Sequence, residues 1–326
     1  MGKAQVRAAR QAAGRRRARW IAAAKAAAVV TGAVATTGAG LVAWGGLVEA
    51  RNFAVRTEQL RILPPGARPF RILHLSDIHL IPSQQDKLDW LSGLAALKPD
   101  LVVNTGDNIG AAASVAPLLR ALDPLLDVPG VFVPGSNDYY APKPANPLRY
   151  LAGPSRQDPN RTELPWEDLF STFEARGWLN LSNQHFSRVL HGIRLDFAGT
   201  DDPHLGRDQW PGFPGAGAGP ARSLRIGVTH APYRRVLDAM TDGGADVILA
   251  GHTHGGQICV PWYGALVTNC DLPTWQASGL TEWSSGGRTV PLEVSAGIGT
   301  SPKAPVRFAC RPEAVVLDVV SPAPRI

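Results

Sequence analysis

Cysteine and charged residues are scarce in this chain, and each scarcity excludes a class of protein. Only 3 of the 326 residues are cysteine (Cys259, Cys270 and Cys310), and no two of them form the CxxC spacing of a zinc ribbon. An oxidising environment would allow one disulfide, but the sequence does not choose the pair. Charged residues make up 18% and hydrophobic residues 44%, which excludes a largely disordered chain.

The body of the chain also lacks an excess of positive charge. The formal charge is +6, but residues 1–25 hold eight Lys or Arg and no acidic residue. Positions 26–326 therefore carry 25 basic and 27 acidic residues. A surface without a basic excess is poorly suited to bind a polyanion, so we expect no nucleic acid as partner.

Residues 26–48 form an uncharged stretch of 23 residues behind this basic tail. As a helix it would reach roughly 34 Å, enough to cross a membrane. The basic residues before it and Glu49 after it predict a single pass through the cell membrane, with a cytoplasmic N-terminus and an extracytoplasmic domain. The alternatives are an export signal cleaved near Ala33-Val34-Ala35 and an alanine-rich soluble helix.

These observations predict four segments. Residues 1–25 are a basic cytoplasmic tail, 26–48 a transmembrane anchor or signal segment, 49–69 a linker or first strand, and 70–326 one large domain. From Phe70 onward, short β-branched runs alternate with helical stretches, which predicts βαβ units and an α/β fold. Two sheets packed as a sandwich and flanked by helices is the most economical architecture. Residues 139–165, which are rich in proline, predict a surface excursion over the site.

Polar residues follow the predicted strands, at the strand ends where α/β sheets bind ligands. Aspartate and histidine dominate these positions, and they are ligand types that suit Zn, Mn and Fe. A lone histidine at a strand end is usually structural, but five strand ends with such residues indicate a metal centre. The polar positions are Asp77, His79, Asp107, Asn137, Asp138, His230, His252 and His254.

The motifs DIHL (77–80), GDN (106–108), GSND (135–138), THAP (229–232) and GHTHGGQ (251–257) resemble those of the calcineurin-like metallophosphoesterase superfamily. The resemblance spans roughly residues 70–300 and is strongest to a bacterial, membrane-anchored branch. It implies a four-layer fold and two divalent metal ions, with Mn, Fe and Zn as the candidates. It also implies a ligand for each ion: Asp77, His79 and His254 for the first, Asp107 as the bridge, and His230 and His252 for the second.

One motif departs from the family pattern. Where the family has GNH followed by an acidic residue, this chain has Gly135-Ser136-Asn137-Asp138. We expect Asn137 to complete the second metal site, because an amide oxygen is a better ligand than a neutral hydroxyl. Ser136 or a water molecule in that role, and Asn137 as a mere turn cap, are the alternatives.

The same departure removes the histidine that in the family binds phosphate and assists the leaving group. Water or a nearby side chain would then protonate the leaving group, and the candidates are Asp138, Tyr139 and His204. The alternative for His204 is a solvated loop histidine. Together with Asp107 and Asn137, Asp138 and His204 form the predicted catalytic set.

The resemblance implies hydrolysis of a phosphodiester, pyrophosphate or phosphomonoester through in-line attack by a hydroxide that bridges the ions. The predicted membrane segment suggests a lipid-linked molecule or an envelope precursor as substrate, at the outer face of the cytoplasmic membrane. Two other functions compete: a catalytically weak metal-binding or scaffold protein of the same fold, and a nuclease. The missing histidine motivates the first, and the absence of a basic excess disfavours the second.

Overall fold

The structure is a computed structural model that describes residues 2–143, 160–215, 223–301 and 305–322. The chain divides into two compact units, Met1–Gly45 and Gly46–Ile326. Most of the proline-rich excursion predicted at 139–165 lies outside the described residues.

The N-terminal unit consists of a single helix. Helix α1 spans Lys3–Leu47, so it includes both the basic tail and the uncharged stretch. The segment Gly14–Arg51 has a mean hydropathy of 1.7 and is long and apolar enough to cross a membrane. A signal sequence near an N-terminus meets the same criteria.

The second unit contains two six-stranded sheets, with α-helices between some of the successive strands. The strands of the first sheet are β1 (Ala54–Arg61), β2 (Phe70–Leu75), β3 (Leu101–Asn104), β4 (Gly130–Phe132), β5 (Leu179–Asn180) and β14 (Glu313–Val320). The strands of the second sheet are β6 (His185–Leu190), β7 (Ile193–Gly199), β8 (Ser223–Val228), β9 (Val247–Ala250), β12 (Gly279–Ser285) and β13 (Arg288–Val294). The helices are α2 (Gln85–Gly93), α3 (Val115–Leu126), α4 (Ser136–Tyr139), α5 (Trp166–Ala175) and α6 (Arg234–Asp242). A two-stranded hairpin pairs β10 (Cys259–Val260) with β11 (Gly264–Ala265).

Both sheets are mainly parallel. The first has the order β1-β14-β2-β3-β4-β5, in which only β14 and β2 pair antiparallel. The second has the order β12-β13-β9-β8-β7-β6, in which the two outer pairs are antiparallel. Strands β2, β3 and β4 of the first sheet and β8 and β9 of the second are parallel within their sheets. Their carboxyl-terminal loops can therefore meet along one edge of each sheet.

The two sheets pack face to face over an apolar core. Ile72 and Val103 of the first sheet belong to the same buried cluster as Phe197 and Ile226 of the second. A second cluster packs the outer face of the first sheet against α3 and α5, where Leu118 and Phe173 are fully buried. The predicted α/β architecture, with two sheets flanked by helices, is thereby confirmed.

A buried ion cluster also links the sheets. Arg56 on β1 forms two 3.0 Å hydrogen bonds with Glu313 on β14, and it donates to the fully buried Glu293 on β13. The Glu313 carboxylate accepts a further hydrogen bond, of 2.9 Å, from the backbone of Ala296. Both buried carboxylates are therefore paired with one cation of the chain itself, the guanidinium of Arg56.

Candidate metal centre

The loop after β2 carries the first two predicted ligands. Ile78 is fully buried in the apolar core, and Asp77 and His79 on either side of it are also buried. The backbone N–H groups of Asp77 and His79 donate to the carbonyls of Gly106 and Asp107 at 2.9 Å. The loop after β2 is therefore held directly against the loop after β3.

The backbone at the predicted ligands is unusual. Five of the six Asp and His ligands have a positive φ, in the left-handed region that non-glycine residues rarely adopt. These angles are Asp77 51°, His79 42°, Asp107 55°, His252 69° and His254 51°. Left-handed non-glycine residues cost free energy and cluster at functional sites. The surrounding fold therefore holds these side chains in place and compensates the free-energy cost of the strained backbone.

One group of three side chains has the composition of a metal site. The Nε2 atoms of His79 and His254 lie 3.1 Å apart, and Asp77 Oδ1 lies 3.5 Å from His254 Nε2. Among the described residues, Asp77 Oδ1 has no hydrogen-bond partner, and neither does Nδ1 of His79 or of His254. A buried carboxylate oxygen without a partner is costly unless a cation satisfies it, so this group fits a divalent ion.

A second group lies beside the first and shares Asp107 with it. Asp107 Oδ2 is 3.3 Å from His79 Nε2 and 3.6 Å from His230 Nε2. His252 Nδ1 is 3.2 Å from His230 Nε2. The six predicted Asp and His residues thus converge, with Asp107 between the two groups.

The other ring nitrogens orient the second group. His230 Nδ1 lies 2.6 Å from the carbonyl oxygen of Thr105, and His252 Nε2 lies 3.3 Å from that of Asn269. A carbonyl can only accept, so each of these nitrogens carries the hydrogen in the neutral ring. The remaining nitrogens, His230 Nε2 and His252 Nδ1, then present lone pairs to each other, an arrangement that a cation between them would satisfy.

The electrostatics of the site point the same way. Burial works against the charged form of both Asp107 and His230, yet their mutual attraction prevails. It lowers the pKa of Asp107 below its usual range, and Asp107 with Asp77 raises the pKa of His230 to about 9. These carboxylates favour a positive charge beside them, as expected of groups that a metal ion would neutralise.

Two glycines are required by close approach to these ligands. A Cβ atom at Gly135 would lie 2.3 Å from Asp107 Oδ1. A Cβ atom at Gly251 would lie 2.6 Å from Asp77 Oδ2 and closer still to Ser76. No side chain fits at either position without moving a carboxylate of the site.

The structure brings Asn137 to the site through Asp107. The backbone N–H and the side-chain amide Nδ2 of Asn137 donate to the two oxygens of Asp107, each at 2.7 Å. Ser136 Oγ is 3.4 Å from the same Nδ2. Asn137 therefore contacts the Asp107 carboxylate directly, whereas Ser136 contacts the Asn137 amide.

Asp138, one of the predicted catalytic residues, is held by backbone donors from two loops. Its buried carboxylate accepts hydrogen bonds of 2.8–2.9 Å from the backbone N–H groups of Asp107, Asn108 and Gly135. Both oxygens are thereby engaged in holding the loops after β3 and β4 together. These contacts fix the positions of Asp107 and Asn108 relative to Gly135, and the part of Asp138 in catalysis stays a prediction.

His204 and Tyr139 differ in their distance from the predicted ligands. The His204 ring centroid is 4.8 Å from that of His252, and His204 Nδ1 lies 3.1 Å from the Tyr233 hydroxyl. His204 is thus half-buried at the edge of the second group. Tyr139 instead donates to Asp201 at 3.0 Å, and burial raises the pKa of its phenol, which makes it a poor acid.

Asp202 is a residue at the site that sequence reasoning missed. It is fully buried, and its Oδ1 accepts a 2.8 Å hydrogen bond from the backbone of His204. Its Oδ2 has no hydrogen-bond partner among the described residues. Burial raises the pKa of Asp202 to about 7, and the charges of His230 and Asp107 also act on it. An acidic residue before Pro203 is typical of an ordinary turn cap, so no local pattern marks Asp202 as part of the site.

Comparison with known proteins agrees with this geometry. Residues 70–256 match the family described as calcineurin-like phosphoesterase. The chain belongs to this family. The resemblance found from the motifs is thereby confirmed.

Relatives of this phosphoesterase include bacterial proteins that align over most of their length. It is 29% identical over 252 residues to the uncharacterized protein YpbG of Bacillus subtilis, covering 76% of this chain and 84% of that protein. It is 26% identical over 275 residues to the phosphodiesterase YaeI of Escherichia coli, covering 82% and 88%. Among solved structures, TT1561 of Thermus thermophilus aligns at a TM-score of 0.40 and 12% identity, over 71% of this chain and 91% of that one.

Proposed function

We propose that this phosphoesterase is a hydrolase that depends on two divalent metal ions. The observation that carries the proposal is the convergence of carboxylate oxygens and facing ring nitrogens in two adjacent buried groups, in which Asp77 Oδ1 has no hydrogen-bond partner among the described residues. Asp77, His79 and His254 would hold one ion, and His230 and His252 the other. Asp107, which contacts both groups, would bridge them.

The bound ions would supply Lewis-acid stabilisation of the phosphoryl group and lower the pKa of a water molecule to near neutral. The chain's own residues fix where this happens. Asp138 clamps the loops after β3 and β4, and the Asn137 amide donors hold both Asp107 oxygens. The left-handed backbone at five ligands is set before any substrate arrives, so the site is preorganised.

His204 is our candidate for a group that contacts the substrate or its leaving group. His204 is not one of the predicted metal ligands. Its ring nevertheless lies against that of His252 at the edge of the site. Imidazole is the side chain that most often transfers protons in catalysis. We therefore expect His204→Ala to lower kcat more for substrates with poor leaving groups than for activated aryl esters.

A phosphodiester is the substrate class that we favour, with pyrophosphates and phosphomonoesters as the alternatives. The relative YaeI, which aligns over 88% of its length, is named a phosphodiesterase. We further propose that α1 anchors the chain in the cytoplasmic membrane with the catalytic unit outside. A substrate that is lipid-linked or an envelope precursor would suit that location. Protection of a C-terminal tag from added protease in intact cells would contradict this orientation.

The central test is Asp107→Ala, with Asp89→Ala on the exposed face of α2 as the matched control. Removal of the bridging carboxylate should lower kcat/KM on bis-aryl phosphodiesters by about a thousandfold or more. The control should keep full activity, and both variants should keep the circular dichroism of the parent. Retention of most of the activity by Asp107→Ala in ample metal would refute the bridging role.

A catalytically weak metal-binding protein is the second candidate, and the Ser136-Asn137 departure favours it. The two candidates differ in turnover, because both predict a loaded metal centre. A screen of diesters, monoesters and pyrophosphates with the metal-loaded chain separates them. No turnover of any class by a fully loaded chain would establish the second.

A further inference from the structure

Two of the three cysteines contact the carbonyl group of Gly255, the residue that follows the predicted ligand His254. The Cys259 thiol donates to the Gly255 carbonyl at 3.1 Å. The Cys310 thiol lies 3.5 Å from the same carbonyl oxygen and 3.3 Å from that of His254. Both sulfur atoms thus contact one carbonyl oxygen, so the two thiols can meet with little movement of the chain.

The surroundings of these thiols favour one pairing. A parallel bridge between Ile258 and Phe308 fixes the two segments side by side, with Cys259 N donating to Phe308 O at 2.8 Å. Both cysteines line a cavity of about 880 Å³, which gives small thiol reagents access. Cys270 packs in a different apolar cluster, beside α6 and β13.

We propose that Cys259 and Cys310 form a disulfide when the catalytic unit is in an oxidising environment. One thiolate attacks an oxidised small-molecule disulfide, forms a mixed disulfide and releases one thiol. The second cysteine thiolate then displaces the other thiol and closes the Cys259–Cys310 bond. Two cysteine thiols are oxidised, and one reagent disulfide is reduced to two thiols.

The bond would tie the loop that carries His254 to the segment before β14. It closes a loop of about 50 residues in the unfolded chain, and loops of this length give substantial stabilisation. The oxidised chain should therefore hold its first metal group more rigidly and unfold at a temperature several degrees higher. This inference rests on thiol geometry, so it stands or falls independently of phosphoesterase activity.

The test uses the full chain in detergent, equilibrated with oxidised or reduced glutathione, then denatured and alkylated with a maleimide that shifts its mass. The oxidised parent should show one free thiol, Cys270→Ser none, and Cys310→Ser two. Peptide mass spectrometry should find the Cys259–Cys310 linkage. Three free thiols in the oxidised parent, or a linkage that includes Cys270, would overturn the proposal.

A separate observation concerns a surface of exposed aromatic residues on the same unit. Trp262 and Tyr263 lie in the turn between β10 and β11, and Trp275 lies near them on the wall of the same cavity. Their exposed fractions are 104%, 75% and 70%. Such exposure of three large rings is unusual for a soluble surface and marks a contact site.

The chain itself indicates what this aromatic surface meets. Glu49 lines the same cavity and accepts a 2.8 Å hydrogen bond from the backbone of Cys310. Glu49 follows the end of the apolar helix at Leu47 by two residues. Wherever a membrane-crossing helix ends, the next residues lie in the headgroup region. Arg51 and Arg311 on this side are exposed and suit anionic headgroups.

We infer that Trp262, Tyr263 and Trp275 sit in the headgroup region of the bilayer, where tryptophan and tyrosine concentrate in membrane proteins. This inference rests on the proposed anchoring by α1. It places the hairpin that follows the ligands His252 and His254 at the lipid surface, and so favours a lipid-linked phosphoester as substrate.

The test places the photocrosslinker benzoylphenylalanine at Tyr263 in the full chain, with Ser171 on the exposed face of α5 as the control position. The protein is reconstituted into vesicles of phosphatidylcholine and phosphatidylglycerol and then irradiated. We expect a phospholipid adduct at position 263 and none at 171. If the chain floats with the vesicles but no adduct forms at position 263, the inferred location of the aromatic residues is wrong and the proposed anchor stands. Failure to float overturns both.

Discussion

Two buried clusters of charged side chains join the two sheets, and they differ in the source of their positive charge. In the first, Glu293 and Glu313 from different sheets share the guanidinium of Arg56. In the second, imidazoles are the only cationic groups beside the carboxylates of Asp77 and Asp107, and Asp77 Oδ1 has no hydrogen-bond partner among the described residues. The first cluster carries its own permanent cation, whereas the second, on the proposed function, would take one from solution.

The backbone shows the same contrast. Arg56, Glu293 and Glu313 lie within strands in regular extended conformation. The ligands of the second cluster lie in loops, five of them at positive φ. A cluster that serves stability can be built from regular structure, but one that gathers six ligands around a small volume needs strained turns. The contrast predicts that damage to the first cluster affects folding, and damage to the second affects metal and activity.

The largest effect is expected from Arg56→Met. Loss of the guanidinium leaves two buried carboxylates without a counter-charge, which should cost about 3–5 kcal/mol of unfolding free energy. Arg61→Met at the exposed end of the same strand is the control and should change it by less than about 0.5 kcal/mol. Denaturant unfolding of both variants checks this. A loss below about 1 kcal/mol for Arg56→Met would show that the cluster contributes little.

Gly135→Ala should act on the other cluster. The added Cβ would overlap the Asp107 carboxylate at 2.3 Å, so we expect activity to fall about a hundredfold, the loss that a misplacement near 1 Å produces. Gly93→Ala on α2 meets no atom within 4 Å and should leave activity unchanged. Steady-state kinetics with saturating metal make the comparison. Equal activity of the two variants would show that the position of Asp107 is not critical.

Asn137→Ala should weaken metal binding rather than folding. Removal of a ligand or of its immediate support typically costs ten- to a hundredfold in metal affinity. The chain is first stripped of metal with a chelator. Isothermal titration calorimetry with Mn²⁺ or Zn²⁺ then measures the change in affinity, with Ser136→Ala as the matched variant. If Ser136→Ala weakens the second ion and Asn137→Ala does not, the serine completes the site.

The smallest effect is a pH dependence. In the metal-free chain the nearby carboxylates raise the pKa of His230 to about 9, so the imidazole is protonated at neutral pH. A metal ion must displace that proton, so apparent affinity should fall as pH falls, by about tenfold per unit below about pH 9. Calorimetric metal titrations in buffers of different ionisation enthalpy count the protons that the chain releases when the metal binds. An affinity that stays flat between about pH 7 and 8.5 would contradict the account.

The position of each predicted ligand along the fold could be read from the sequence, because local pattern places it. A short apolar run followed by Asp-x-His or Gly-Asp marks a strand end, and parallel strands bring such ends to one edge. The family motifs then group residues as distant as Asp77 and His254. The fold class followed from the same strand–helix alternation.

Other features of the site depend on tertiary contacts that no local pattern encodes. The position of Asp138 follows from three backbone donors on two different loops. The buried Asp202 and the pairing of Cys259 with Cys310 arise where segments far apart in sequence pack together. The positive φ angles of the ligands are likewise imposed by the surrounding fold, since aspartate and histidine have no strong preference for them.

Metal analysis of the purified full chain tests the central claim most directly. After reconstitution with Mn²⁺, Fe²⁺ or Zn²⁺ and removal of loosely bound ions, we expect about two ions per chain in the parent and in Arg56→Met. We expect a clear deficit in Asp107→Ala, which should remain folded. A folded parent that retains less than one ion per chain with each of these metals would contradict the account.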